Sequence, residues 1–206
     1  MAVFTSYVTS VSASATLSEA DLAAAAAEDL DGTFPEIVRR YGPALYTLAV
    51  RLCGQRADAE DLAAASFERA YRALRTQPAR QTAALRFRPW LVTIALNQWR
   101  NQLRSRSRRP ATAPLELGHD PPAAGADPAE HLPGDPAVAC ALAALPHPQR
   151  LAVLLRHVAG LSTSEVALAL DCRPGTAKSH ISRGLTALRA ALEAPSPPTP
   201  NPEPDR

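Results

Sequence analysis

The stretch DCRPGTAKSHISRG, residues 171–184, gathers the side chains of this sequence best suited to grip a phosphate or a base edge. Thr176, Lys178, Ser179, His180, Ser182 and Arg183 are polar, while Ala177, Ile181, Leu185 and Leu188 fall between them at helical spacing. Lys178 and Arg183 can bond phosphate oxygens or guanine edges, and Thr176 and Ser179 can reach phosphates. A helix amino terminus at this point would add partial positive charge for an anion. This is binding chemistry rather than turnover. His180 reads most simply as a neutral exposed side chain. Cys53, Cys140 and Cys172 are far apart and form no Cys/His cluster, so no metal or cofactor site is expected. No nucleophile–base arrangement can be assembled, and an enzyme is the weakest reading.

A second group is purely basic. Arg100, Arg104, Arg106, Arg108 and Arg109 run without an acid between them. Arg100 and Arg104, four apart, share a helix face. The only tryptophans, Trp90 and Trp99, lie close by. Cations beside aromatic rings suit unpaired nucleic acid, the cations tracking phosphates and the rings stacking on bases. The competing reading is a solvated helix end; for Trp90 alone a core position is favoured. A third group is acidic: Asp58, Glu60 and Asp61 open the segment that continues to Phe67. Acids in a first turn complement the helix macrodipole. They would equally form a polar rim around a protein-docking patch, and periodicity does not choose.

The elements that must position these groups are all helices, and no strand-like alternation is found. In the first block, residues 20–109, Phe34, Ile37, Val38, Tyr41, Leu45, Leu48, Ala49 and Leu52 form one apolar stripe. Pro35 is expected near a helix start and Gly54 just past an end. A second helix is expected over 57–74, then a polar connection, then a helix from Pro89 into the basic run. Residues 110–136 are Pro-rich, with five acids and no Lys or Arg, and read as an acidic, extended connector. The second block, residues 137–193, gives two short helices broken at Pro146–Pro148 and then two more. Ser162 and Glu165 form a capping box, Asp171–Gly175 interrupts, and Thr176 is the expected cap of the last helix. Helix, short turn, helix over 162–170 and 176–192 is the helix-turn-helix pattern, whose second helix enters the major groove.

The rest of the composition sets limits. With 206 residues the chain suits one medium domain or two small ones, and a net charge of +2 leaves local patterning to carry the argument. Three cysteines fit a reducing cytoplasm better than a disulfide scaffold. Residues 1–19 read as a loose leader without the charged start of a secretory signal, and residues 194–206 as a Pro-rich disordered tail. No apolar run reaches the roughly 18 residues needed to span a membrane.

Two blocks in this order resemble the extracytoplasmic function (ECF) sigma factors, the smallest group of bacterial transcription initiation factors. The segment DAEDLAAASFERAYRAL is similar to the helix of sigma domain two that docks on the beta-prime clamp helices of RNA polymerase. FRPWLVTIALNQWRNQLRSRSRR is similar to the segment that melts and reads the minus-ten element, and the second block is similar to sigma domain four. The resemblance implies two small helical domains on a flexible linker, with core RNA polymerase (clamp helices and beta flap) and promoter DNA as partners. It also implies an anti-sigma factor as a possible partner, a stress- or envelope-responsive regulon, and a cytoplasmic location. Asp58, Asp61, Leu62 and Phe67 match the polymerase-docking motif. Asn97, Arg100 and Arg104 match the minus-ten region. Thr176, Lys178, Ser179, His180 and Arg183 match the face that reads the minus-thirty-five element.

The chain departs from the family pattern in places. Ala64 and Ala65 stand where the docking helix usually carries a Gln–acid pair, and His180 and Leu185 where the recognition helix is often basic. Fewer cations predict a shallower salt dependence for this domain. Two rivals remain at this stage, an ordinary helix-turn-helix regulator acting as a dimer and a protein-binding helical adaptor.

Overall fold

The computed structural model describes residues 17–108 and 135–193, and every element among them is helical. Helix α1 (Glu19–Glu28) starts at Ser18, whose side chain accepts the Asp21 amide. It buries Leu22, Ala23 and Ala26, so the chain joins the packed body here. Helix α2 (Leu30–Cys53) is capped by Asp29, which accepts the Gly32 amide at 3.0 Å. The expectation that Pro35 marks a helix start is corrected: Pro35 and Pro43 both lie inside α2. Each removes one rung of the hydrogen-bond ladder, and each sits on the exposed side, where the loss is least costly. The helix ends at Gly54, whose left-handed φ of 73° favours glycine.

Helices α3 (Arg56–Thr76), α4 (Ala79–Ala83) and α5 (Phe87–Arg108) complete the first block. The polar connection expected after α3 thus contains a short helix that buries Thr82. Helices α2 and α3 pack on each other, α5 crosses both, and α1 lies on α2 and α4.

The second block opens with α6 (Pro136–Ala143), capped by Asp135 with proline at the first turn. Asp135 and Pro136 therefore belong to the helix start. Arg109, residues 110–134 of the expected connector, 1–16 of the expected leader and the tail from 194 lie outside the described residues. Helix α7 (His147–Val153) runs into a single π turn, Leu154–Val158. Then follow α8 (Thr163–Ala169) and α9 (Pro174–Glu193). The capping box is present, with Glu165 accepting the Ser162 amide at 2.7 Å and Ser162 accepting the Glu165 amide at 3.3 Å. The expected cap at Thr176 is corrected. The amides of Thr176 and Ala177 already bond the Arg173 carbonyl, so α9 begins at Pro174. Proline suits a first helical position because the amide it lacks would have no partner there.

The buried side chains of the two blocks form one contiguous core. Alanine makes this possible: Ala23, Ala49, Ala59, Ala63, Ala70, Ala95, Ala152 and Ala177 are each at most 1% exposed, so helix backbones approach closely. At Gly184 helix α9 comes close to α7. A Cβ there would stand 2.6 Å from Val153 Cγ2 and 3.2 Å from the Gln149 carbonyl.

Gly184→Ala should therefore destabilise the protein. The clash costs about 1–3 kcal/mol and outweighs a helix-propensity gain of about 1 kcal/mol. Denaturant unfolding of the two proteins side by side would show the lowered midpoint.

Candidate nucleic-acid interface

Helix α9 presents its polar side chains on the outside of the second block. Ala177 is fully buried against α7 and α8, with Ile181, Leu185 and Leu188 half-buried on the same side. Thr176, Lys178, Ser179, Ser182 and Arg183 are exposed. Five residues of helix turn Arg183 by roughly 140° from Lys178. The two cations thus flank an arc of small hydroxyl side chains, Ser179, Ser182 and Thr186. Such an arc fits a groove, with phosphates within reach at either edge. The Ser179 hydroxyl donates to the Gly175 carbonyl at 3.0 Å and keeps its lone pairs for a donor. His180 is not the exposed side chain expected from the sequence. It is half-buried, and its Nδ1 is shielded with no hydrogen-bond partner among the described residues. Arg173 and Arg189 are exposed near the two ends of the arc.

On α5, Asn97 and Arg104 are exposed and Arg100 is half-buried between them. Their spacing of three and four puts them in one row. The tryptophans diverge. Trp90 is half-buried and packs edge-on against Phe87, ring centres 6.4 Å apart. Trp99, read as a possible platform for bases, is 5% exposed, and its face is stacked on His147 with centres 5.7 Å apart and 15° between planes. The guanidinium of Arg100 donates to the Ala169 carbonyl at 3.3 Å. Both groups thus face the second block. The side chains of Arg106 and Arg108, and all of Arg109, lie outside the described residues.

The expected docking residues divide. On α3, Asp61 is exposed and Asp58 half-buried, but Leu62 is fully buried and Phe67 4% exposed. Phe67 meets Phe34 edge-on, centres 6.4 Å apart and planes at 85°. Leu62 and Phe67 are core residues of the first block, not members of an exposed apolar patch. Glu60 pairs with Arg56 at 3.0 Å, one turn back on the same helix.

Two arginines missed in the sequence join the blocks. Arg88 reaches the Ala159 carbonyl at 3.3 Å while its guanidinium lies 5.7 Å from the Tyr41 ring centre. Gly160, at φ 72°, makes room for it, since a Cβ there would stand 3.2 Å from Arg88 Nη1. Arg86 forms an ion pair of 2.8 Å with Glu165, the capping-box acid. Burial alone would raise the Glu165 carboxyl. The hydrogen bonds at Ser162 and the nearby Arg86 and Arg88 outweigh it and hold the group below its ordinary value. No cluster of potential metal ligands occurs among the described residues, and no helix among them is long and apolar enough to cross a membrane.

With this geometry in view, the chain matches the families Sigma-70 region 2, over residues 37–109, and Sigma-70, region 4, over residues 136–188. It is 34% identical over 166 residues to the ECF RNA polymerase sigma factor SigE of Mycolicibacterium smegmatis, across 78% of this chain and 62% of that protein. It is 31% identical over 179 residues to the RNA polymerase sigma-H factor of Pseudomonas aeruginosa, across 78% of this chain and 86% of that one. Among solved structures, it is similar to the sigma factor RpoE in complex with the anti-sigma factor NepR from Bartonella quintana. That match has a TM-score of 0.60 and 25% identity, and covers 78% of this chain and 97% of that one.

The lowered Glu165 carboxyl makes stability depend on pH. A depressed folded-state value means the stabilisation is complete above the ordinary carboxylate range and is lost as pH falls through the lower folded value. Wild type should melt above Glu165→Gln at pH 7, and the gap should close in strongly acidic buffer, as followed by circular dichroism.

Proposed function

The chain belongs to the ECF sigma factors, and on that basis we propose that it binds core RNA polymerase and directs it to begin transcription at a particular class of promoters. The observation that carries this reading is the arc on α9, polar and exposed, in a chain that also holds a matching region 2. Helix α9 would lie in the major groove upstream. Lys178 and Arg183 would hold phosphates or base edges, and Thr176 and Ser179 would add neutral contacts. His180 would contribute its exposed edge. The row Asn97, Arg100 and Arg104 on α5 would hold the melted downstream strand.

Docking on polymerase would use the acidic start of α3. Asp58 and Asp61 would make the polar contacts, while Leu62 and Phe67 would hold the helix in place from behind. Ala64 and Ala65 leave the middle of that face without polar groups, so this reading places more weight on the two acids. Opening DNA costs a few kcal/mol per flipped base, and binding energy from polymerase and duplex contacts would have to supply it. The protein would work in the cytoplasm by binding alone, without bond chemistry of its own. An anti-sigma factor would be a further partner, as NepR is for the similar RpoE. Residues 20–109 and 137–193 would be the two functional domains, with the acidic segment between them threading toward the polymerase cleft.

Transcription from a genomic library by bacterial core polymerase should gain start sites when the protein is added, sharing a pair of upstream motifs. An unchanged set of start sites would reject the proposal. Arg183→Ala should reduce promoter use and leave core binding intact, whereas Asp61→Ala should weaken core binding. Lys178→Ala should lower the salt slope of promoter binding by about one.

A further inference from the structure

The end of α1, the start of α2, the last turn of α3 and the short helix α4 surround an open cleft of about 330 Å³. That is the small end of the about 300–1,000 Å³ usual for ligand sites, room for one side chain or a small amine. None of its lining residues is assigned above to DNA or to polymerase.

The charges around the cleft favour a cation. Glu28, Asp29 and Asp31 line it, against a single basic residue, Arg75. Asp29 spends Oδ1 on the Gly32 amide at 3.0 Å, and Asp31 spends Oδ1 on the Tyr71 hydroxyl at 2.5 Å. Each keeps its second oxygen for another donor. Arg75 does not neutralise these acids; its guanidinium lies over the Tyr71 ring, 5.9 Å from the centre. Two helix ends add to the effect, since α1 finishes at Glu28 and α3 at Thr76, and α1 has no basic residue in its last turn. The carboxyl end of a helix carries partial negative charge that attracts cations.

Thr82 is a second, independent pointer to a ligand. It lines the cleft and is only 2% exposed, yet its hydroxyl has no hydrogen-bond partner among the described residues. A helical threonine can turn its hydroxyl to the carbonyl four residues back. Here that carbonyl, of Pro78, already accepts the amides of Gln81 at 2.8 Å and Thr82 at 3.2 Å. A buried hydroxyl left unpaired is costly, and a donor arriving in the cleft would relieve it.

We propose that this cleft binds a guanidinium or primary ammonium group on a short aliphatic stem. The carboxylates of Glu28, Asp29 and Asp31 take its N–H donors, the Thr82 hydroxyl accepts one more, and Leu30 and Leu74 give the stem an apolar wall. A metal ion fits less well, because no three potential ligands lie close enough to hold one among the described residues. A nucleotide also fits poorly: the lining offers no aromatic ring to stack a base, and its acids repel phosphate. The same donors come from two sources, a free polyamine or an arginine or lysine side chain of a protein partner.

The test titrates the full chain, isotope-labelled, and follows its amide resonances by NMR. The probes are spermidine, the blocked peptide acetyl-Ala-Arg-Ala-amide and its glutamine counterpart. At least one cationic probe should give saturable shifts at residues 26–31 and 74–82, weakening as salt rises. Spermidine alone binding identifies a free amine, and the arginine peptide alone a partner's side chain. No saturable shift with either, an equal response to the glutamine peptide, or an equal response to magnesium chloride would overturn the proposal. Glu28→Gln with Asp31→Asn should weaken binding several-fold, with circular dichroism confirming the fold. Thr82→Val should also weaken it several-fold without lowering the melting temperature, because no bond within the chain is lost. A lowered melting temperature with unchanged binding would remove Thr82 from the site and overturn it.

Discussion

Every helix leaves its last carbonyls without amide partners, and short helices leave proportionally more of them. The second block is built from short helices: α6 has 8 residues, α7 has 7 and α8 has 7. Among the described residues, arginine meets this constraint three times. Arg150 donates to the Ala143 carbonyl at the end of α6. Arg88 and Arg100 arrive from the first block at Ala159 and Ala169. A cation at a helix carboxyl end also opposes the macrodipole favourably. Of the 22 basic residues, all but Lys178 are arginine, whose planar fork and long reach suit this task better than a compact ammonium. The guanidinium that closes the fold at Arg100 is thus also the group that the proposed function assigns to phosphate.

Small residues set how near the helices come. Alanine at the helix crossings and Gly184 under Val153 let α9 lie low on the second block, so that its outward arc stands clear. Gly160 serves a different need, a left-handed turn beside a guanidinium. Large aromatic side chains are few and are grouped: Phe34 meets both Phe67 and Tyr71, while Tyr41 and Phe87 meet deeper in the first block.

Local features were legible in the sequence because their causes are local. The capping box, the helix-turn-helix, the buried side of α9 and the all-α class follow from spacing that a few residues carry. Leu62 and Phe67 show where that reasoning stops. An apolar stripe looks the same whether it faces the chain's own core or a partner, and only the packed structure shows α2 covering it. Pro35 and Pro174 were misplaced for a related reason, since helix starts depend on which donor or acceptor is satisfied elsewhere. Arg88–Ala159 and Arg100–Ala169 join positions 71 and 69 residues apart. No local pattern records a pairing at that distance, so the seam between the blocks left no trace in the sequence.

The two tryptophans turn this seam into an optical instrument. Both sit on α5, nine positions apart in the sequence. Trp99 emits from the junction, stacked on an imidazole that belongs to the other block, while Trp90 emits from within the first block beside Phe87. A change in how the blocks meet alters the surroundings of one fluorophore and leaves its neighbour as the internal standard. The chain needs no added dye to report its own conformation.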